Sequence, residues 1–167
     1  MVPSPTSAYL VVSLAGTTCA LAQVEVSEIL PLPRLHRPPA AGAMLAGFLD
    51  LGGLPVPVID LPRLLGLRGE ARVPEDENPY RHLVLAADGA AAFLVDRVDD
   101  LVRVGDEAVH PISQTSTLNG CVVAELSRQD RLVPILAVPR ILTLEERDRL
   151  AALAAREADR LAAFPAA

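Results

Sequence analysis

Three histidines, two cysteines and one adjacent acid pair are the side chains of this 167-residue chain best suited to chemistry. His36, His82 and His110 do not recur at the i,i+4 spacing that lets two imidazoles share a metal. Gly42, Gly47, Gly52 and Gly53 lack the following Lys-Ser or Lys-Thr of a phosphate-cradling loop. Ser13, Ser27, Ser113 and Ser116 have no nucleophile-elbow context. Asp99 and Asp100 could be read as a general acid and base. Neighbours on a strand point to opposite faces, however, so the pair reads as solvated surface. Cys19 and Cys121 lie in apolar runs and read as small, reduced core residues. The expectation is a chain without catalytic residues, metal or cofactor.

Composition narrows the class further. Hydrophobic residues make up 51% of the chain and aromatics only 3%, so the core must be built from Val, Leu, Ile and Ala. Mean hydropathy is +0.34. The most apolar stretch, 41–59, is nevertheless broken by Asp50, Pro55, Pro57 and glycines. A spanning helix needs about 20 mostly apolar residues, so short buried strands are the better reading. The first basic residue is Arg34, which does not suit a secretion signal, and the cytosol is the expected location. The formal charge is -6 and every one of the 15 basic residues is Arg. Such a chain repels a phosphate backbone, and its scattered aromatics form no stacking platform for nucleic acid.

The elements are written twice. Residues 9–16 and 82–89 are each an apolar run ending at a glycine, followed by a second run at 19–22 and 92–95. Strand, tight turn, strand is the economical reading, since Gly reaches the positive φ of hairpin turns. Residues 56–65, Val-Pro-Val-Ile-Asp-Leu-Pro-Arg-Leu-Leu, match 133–142, Val-Pro-Ile-Leu-Ala-Val-Pro-Arg-Ile-Leu, without a gap. Each reads as a strand leading through Pro-Arg into a short helical turn. The proline inside each strand suggests an edge or strand-start position. The two pairs recur in order, which favours internal duplication. The expected halves are about 9–67 and 82–142, joined by an exposed charged connector at 68–81. Two small barrels side by side would bury a shared aliphatic seam.

The tail is different. Thr143-Leu-Glu-Glu146 matches a capping box, and strong helix formers follow from Leu144 to about Ala163. Leu150, Leu153, Ala154, Ala158 and Leu161 share one face, and Glu145 and Arg149 are spaced as an i,i+4 pair. This helix at 143–164 is expected to pack on its own second barrel; the sharper alternative is a partner-docking helix.

Four stretches in order resemble the CheW-like domain family of bacterial chemotaxis adaptors and of the CheA kinase regulatory domain. They are Tyr9-Leu-Val-Val-Ser-Leu-Ala-Gly16 with Val26-Ser-Glu-Ile-Leu-Pro-Leu32, and Gly47-Phe-Leu-Asp-Leu-Gly-Gly53 with Val56-Pro-Val-Ile-Asp-Leu61. The others are Phe93-Leu-Val-Asp-Arg-Val98 and Leu132-Val-Pro-Ile-Leu136. The likeness covers about residues 8 to 142. It implies a mainly β fold of two pseudo-repeated five-stranded barrels of Src-homology-3-like type around a shared apolar core, with the C-terminal helix added. It also implies a scaffolding function. The adaptor would join a CheA-type histidine kinase regulatory domain barrel to barrel and present the groove between its barrels to the cytoplasmic tip of a chemoreceptor.

By the same resemblance, Glu28, Asp50, Leu51, Gly52 and Gly53 match the partner-binding segments of the first barrel. Val95, Asp96 and Val98 match the second-barrel strand near the groove. Where the family commonly has Asn-Leu-Arg-Gly, this chain has Asp50-Leu51-Gly52-Gly53. The Arg usually faces the position of Glu28, so Glu28 is expected to be solvated or partner-seeking. Ala137 likewise replaces the Asp of the second Asp-Leu step. A divergent adaptor is the implied reading. Its rivals are a scaffold of a non-flagellar pathway, a small-molecule-binding double barrel, and a degenerate self-associating copy.

Overall fold

A computed structural model describes residues 5–38, 42–67, 81–112 and 120–164. The first half contributes β1 (Thr6–Leu14), β2 (Thr17–Ala22), β3 (Val26–Pro31), β4 (Leu45–Leu51), β5 (Leu54–Asp60) and the single turn α1 (Leu61–Leu64). The second contributes β6 (His82–Ala86), β7 (Ala92–Val95), β8 (Arg97–Gly105), β9 (Val109–Pro111), β10 (Val122–Arg128), β11 (Arg131–Leu136) and the turn α2 (Val138–Ile141). The long helix α3 (Leu144–Ala162) follows. The fold is mainly β, in two sheets: a six-stranded one ordered β8-β1-β2-β11-β10-β9 and a five-stranded one ordered β3-β6-β7-β5-β4.

The duplicated elements are present, but the division into contiguous halves is corrected. The hairpin β1–β2 leaves its own half, pairing antiparallel with β8 and parallel with β11. The hairpin β6–β7 makes the reciprocal move, pairing antiparallel with β3 and parallel with β5. Neither sheet is therefore drawn from one half alone. The prolines expected at an edge or strand start lie instead in the interior strands β5 and β11. Parallel pairing begins one residue after each, at Val58 and Ile135, so the missing donor costs no bond to that neighbour.

Strand alternation sorts the core. Phe93 and Val95 of β7 face the seam between the sheets, together with Val12, Leu14, Leu21, Ile59 and Val84. Ala92 and Leu94 point the other way, into a cluster confined to the five-stranded sheet with Val58 and Leu83. Ala20, Leu126, Val133 and Ile135 form the matching cluster of the six-stranded sheet. A period of two thus serves two cores at once. Cys19 and Cys121 are buried, free and part of the seam. Burial, with a smaller contribution from Cys121, pushes the Cys19 thiol up to about 12.

The seam also holds an ionic cluster. Arg81, expected in the exposed connector, is only 7% exposed; the remainder of that connector lies outside the described residues. Its Nη2 donates to Asp60 Oδ2 at 3.3 Å, and its Nε lies 3.7 Å from Asp96 Oδ1. Asp60 Oδ1 also caps α1 by accepting from Arg63 N at 3.2 Å. Asp96 Oδ2 accepts from Ala15 N at 2.7 Å, in the β1–β2 turn, where Ala15 sits at φ +50° and Gly16 at +83°. One guanidinium thus links the end of β5, the start of β6, the β7–β8 junction and, through Asp96, the turn of the other sheet.

The capping box of α3 forms as expected, Thr143 Oγ1 accepting from Glu146 N at 3.1 Å and Glu146 Oε1 from Thr143 N at 2.7 Å. Arg149 reaches Glu145 at 2.7 Å. Leu150, Leu153 and Ala154 pack on the seam cluster, while Leu161 is exposed. The helix packs on β5, a first-half strand, rather than on a second-half barrel. Glu157, buried, meets His36 Nε2 at 2.8 Å. The backbone of His36 bridges Phe48 and covers the outer strand β4. Gly47 permits this, since a Cβ there would lie 2.9 Å from His36 O and its φ is +154°.

Three outcomes follow from this packing. Gly47→Ala should cost about 1–3 kcal/mol in chemical denaturation, because the residue keeps a strained φ and loses its clearance. Arg81→Met should cost about 3–5 kcal/mol, because two buried carboxylates lose their cation. Asp60→Asn and Asp96→Asn in that background should recover part of the loss. The thiol of Cys19 titrates higher folded than unfolded, so its contribution is full below its ordinary 9.0 and lost as pH climbs toward about 12. Cys19→Ala should therefore flatten the fall in stability between those limits.

Candidate functional site

The two sheets leave a groove between β3 and β8. Leu10, Val26, Ile29, Val98 and Leu101 give it an apolar floor, and Glu28, Asp99 and Asp100 give it an acidic rim. Its volume is about 340 Å³. Two of the sequence-derived site residues, Glu28 and Val98, are thereby brought together from opposite halves of the chain. The side chain of Glu28 is exposed and makes no hydrogen bond or ion pair among the described residues.

The pair Asp99 and Asp100 does not alternate as a regular strand would. Val12 pairs with Val98 and Val11 with Asp100, leaving Asp99 in a bulge. Both carboxylates consequently border the groove. Asp99 accepts from Ser13 Oγ at 2.5 Å and lies 3.4 Å from Arg97 Nε. Asp100 takes Arg128 Nη2 at 2.8 Å. Each acid has its own partner, so they act as rim charge rather than as a proton-sharing pair.

Asp50, Leu51, Gly52 and Gly53 form the tip of the β4–β5 hairpin. Gly52 at φ +59° and Gly53 at +90° occupy the two central turn positions, where both φ values must be positive. Asp50 Oδ1 accepts from Gly53 N at 2.8 Å and so is committed to its own turn. Glycine at position 52 is explained by this geometry. No hydrogen bond or ion pair among the described residues joins the turn to Glu28.

Val95 and Asp96 lie elsewhere again. Val95 is fully buried in the seam, and Asp96 belongs to the Arg81 cluster. Neither lines the groove. Arg81 is the residue that the sequence reading missed; a lone Arg at the edge of a polar stretch carries no signal of burial.

The histidines are not as isolated as their spacing suggests. His36 holds Glu157, and His110 Nε2 lies 2.7 Å from Ser127 Oγ. Glu125 stands opposite His110 in the β9–β10 register. Both His110 and Ser127 are exposed. Among the described residues no group of three or more His, Cys, Asp or Glu could hold a metal ion. None of the described helices is long and apolar enough to cross a membrane.

Comparison with known proteins agrees with this arrangement. Residues 8–146 match the CheW-like domain family. The chain is 29% identical over 125 residues to "Chemotaxis protein CheW" of Helicobacter pylori, covering 74% of this chain and 73% of that protein. It is 32% identical over 82 residues to "Probable chemotaxis protein CheW" of Rhizobium etli, covering 47% and 49%. The crystal structure of the scaffolding protein TtCheW from Thermoanaerobacter tengcongensis superposes with a TM-score of 0.68 at 18% identity, over 82% of this chain and 88% of that one. With the groove and nearly all of both sheets lying inside the matched span, this chain belongs to the CheW-like domain family.

Proposed function

We propose that this chain is a non-catalytic chemotaxis adaptor of the cytoplasm, coupling the tip of a chemoreceptor to the regulatory domain of a CheA-type histidine kinase. The observation that carries the reading is the groove between the sheets. It has an apolar floor to supply affinity and an acidic rim to set specificity, with no converging reactive groups. The family and the scaffolding title of its structural neighbour support a role in holding proteins together. Glu28 and Val98 serve the receptor, along with Leu101. The β4–β5 tip, with Leu54 exposed just beyond Gly53, serves a second protein contact. Val95 and Asp96 hold the groove's shape.

Gly52 marks the adaptor as divergent. Its left-handed turn position offers no side chain, and Asp50 is already engaged, so Glu28 is left for a cation on the receptor. Receptors that present Arg or Lys to this groove are the expected partners.

Calorimetric titration against the cognate kinase regulatory domain should show saturable binding. Absence of binding, combined with thermal stabilisation by a metabolite, would replace the adaptor with a small-molecule sensor. Leu101→Arg, at an exposed position on the groove floor, should weaken receptor-tip binding about tenfold or more and leave kinase-domain binding unchanged.

A further inference from the structure

A second cavity, of about 510 Å³, shares no lining residue with the groove. Its walls come from the β6–β7 turn, α2, the first turns of α3 and a single 3-10 turn at Gln23–Glu25. Ala86, Ala91, Phe93, Val138, Leu142 and Leu150 make the interior apolar. The mouth is different in kind. Glu25, Asp88 and Asp148 line it against one cation, Arg147. That cation is already engaged, Nη2 donating to Pro139 O at 2.6 Å and Nη1 lying 3.7 Å from Asp88 Oδ2. Asp148 makes no ion pair among the described residues.

Two large apolar side chains stand in water beside the same mouth. Val24 is 88% exposed and Leu144 is 75% exposed. The capping box needs only Thr143 and Glu146, so it gives no reason for a leucine between them. A small molecule confined to the cavity would leave both side chains wet. A second copy of this chain, at net charge -6, would bring like charge to an acidic rim. We propose that this cavity docks a basic segment of another protein, which inserts one bulky apolar side chain, sets Arg or Lys against Asp148 and Glu25, and covers Val24 and Leu144.

The site is independent of the groove reading. Gln23 borders the groove while Val24 and Glu25 border this cavity, so the 3-10 turn is a wall common to both. The adaptor can therefore hold a groove partner and a cavity partner on its two sides.

The chain contains no Trp, so a Trp-bearing probe reports without background. The probe is a short synthetic peptide with one Trp between flanking Arg residues, titrated with the full chain. Saturable anisotropy and a blue shift of the indole emission are expected. Ala151→Phe, which fills the mouth from an exposed helix position, and Asp148→Arg should each weaken binding about tenfold. A peptide with Glu in place of Arg should bind at least tenfold more weakly. Leu101→Arg in the groove should leave the peptide affinity unchanged. Circular dichroism and kinase-domain titration of the same variants should match the parent, which separates loss of this site from loss of the fold or of the adaptor role. No blue shift, equal binding of the Glu peptide, or binding that survives Ala151→Phe but fails with Leu101→Arg overturns the proposal.

Discussion

The guanidinium of Arg81 is the contact on which the relation between the two sheets rests. It is buried between Asp60 and Asp96, and each carboxylate has a second task at the same time. Asp60 starts α1, and Asp96 steadies the left-handed Ala15 in the opposite sheet's hairpin. The aliphatic seam supplies non-directional cohesion, and aliphatic surfaces alone permit sliding. The ionic cluster supplies the direction, because a buried charge tolerates few alternative neighbours. The second copy of the repeat has Ala137 where the first has Asp60, and α2 takes its cap from a distant residue, Val138 N donating to Glu25 Oε1 at 3.3 Å. The molecule is consequently symmetric in its strands and asymmetric in what pins them.

Much of this architecture was legible in the chain. The repeated Val-Pro and Pro-Arg segments became β5–α1 and β11–α2, the glycine-marked runs became hairpins, and Thr143–Glu146 became a helix cap. These are local signals, carried by turn chemistry and short periodicity. The exchange of hairpins was not legible, because pairing of β1 with β8 joins residues such as Leu10 and Leu101 that are remote in sequence. Contiguity is a natural guess when only local pattern is available. It also misplaced α3, whose apolar face was read correctly at Leu150, Leu153 and Ala154 but not at the exposed Leu161, and whose seat on β5 was not foreseen.

The site was half legible for a related reason. Glu28 and Val98, matched separately to the two barrels, both line the groove. Asp96 was matched to the strand near the groove and not read as internal, since a sequence does not state which carboxylate is enclosed. The bulge at Asp99 inverted the expected alternation and added an acid to the rim. Gly52 read first as a lost cation; in the fold it is a requirement of the turn that holds it.

The reciprocal exchange of hairpins has a bearing on how the molecule is made. As the chain leaves the ribosome, β1 and β2 emerge with their sheet partners β8 and β11 still unsynthesised. Their outer edges stay unpaired until β8 and β11 have been made, a period in which unpaired strands invite association with other nascent chains. Assembly then depends on distant segments finding one another, which slows folding relative to a protein of local contacts. The twin halves share both sheets, so neither half can complete a sheet alone.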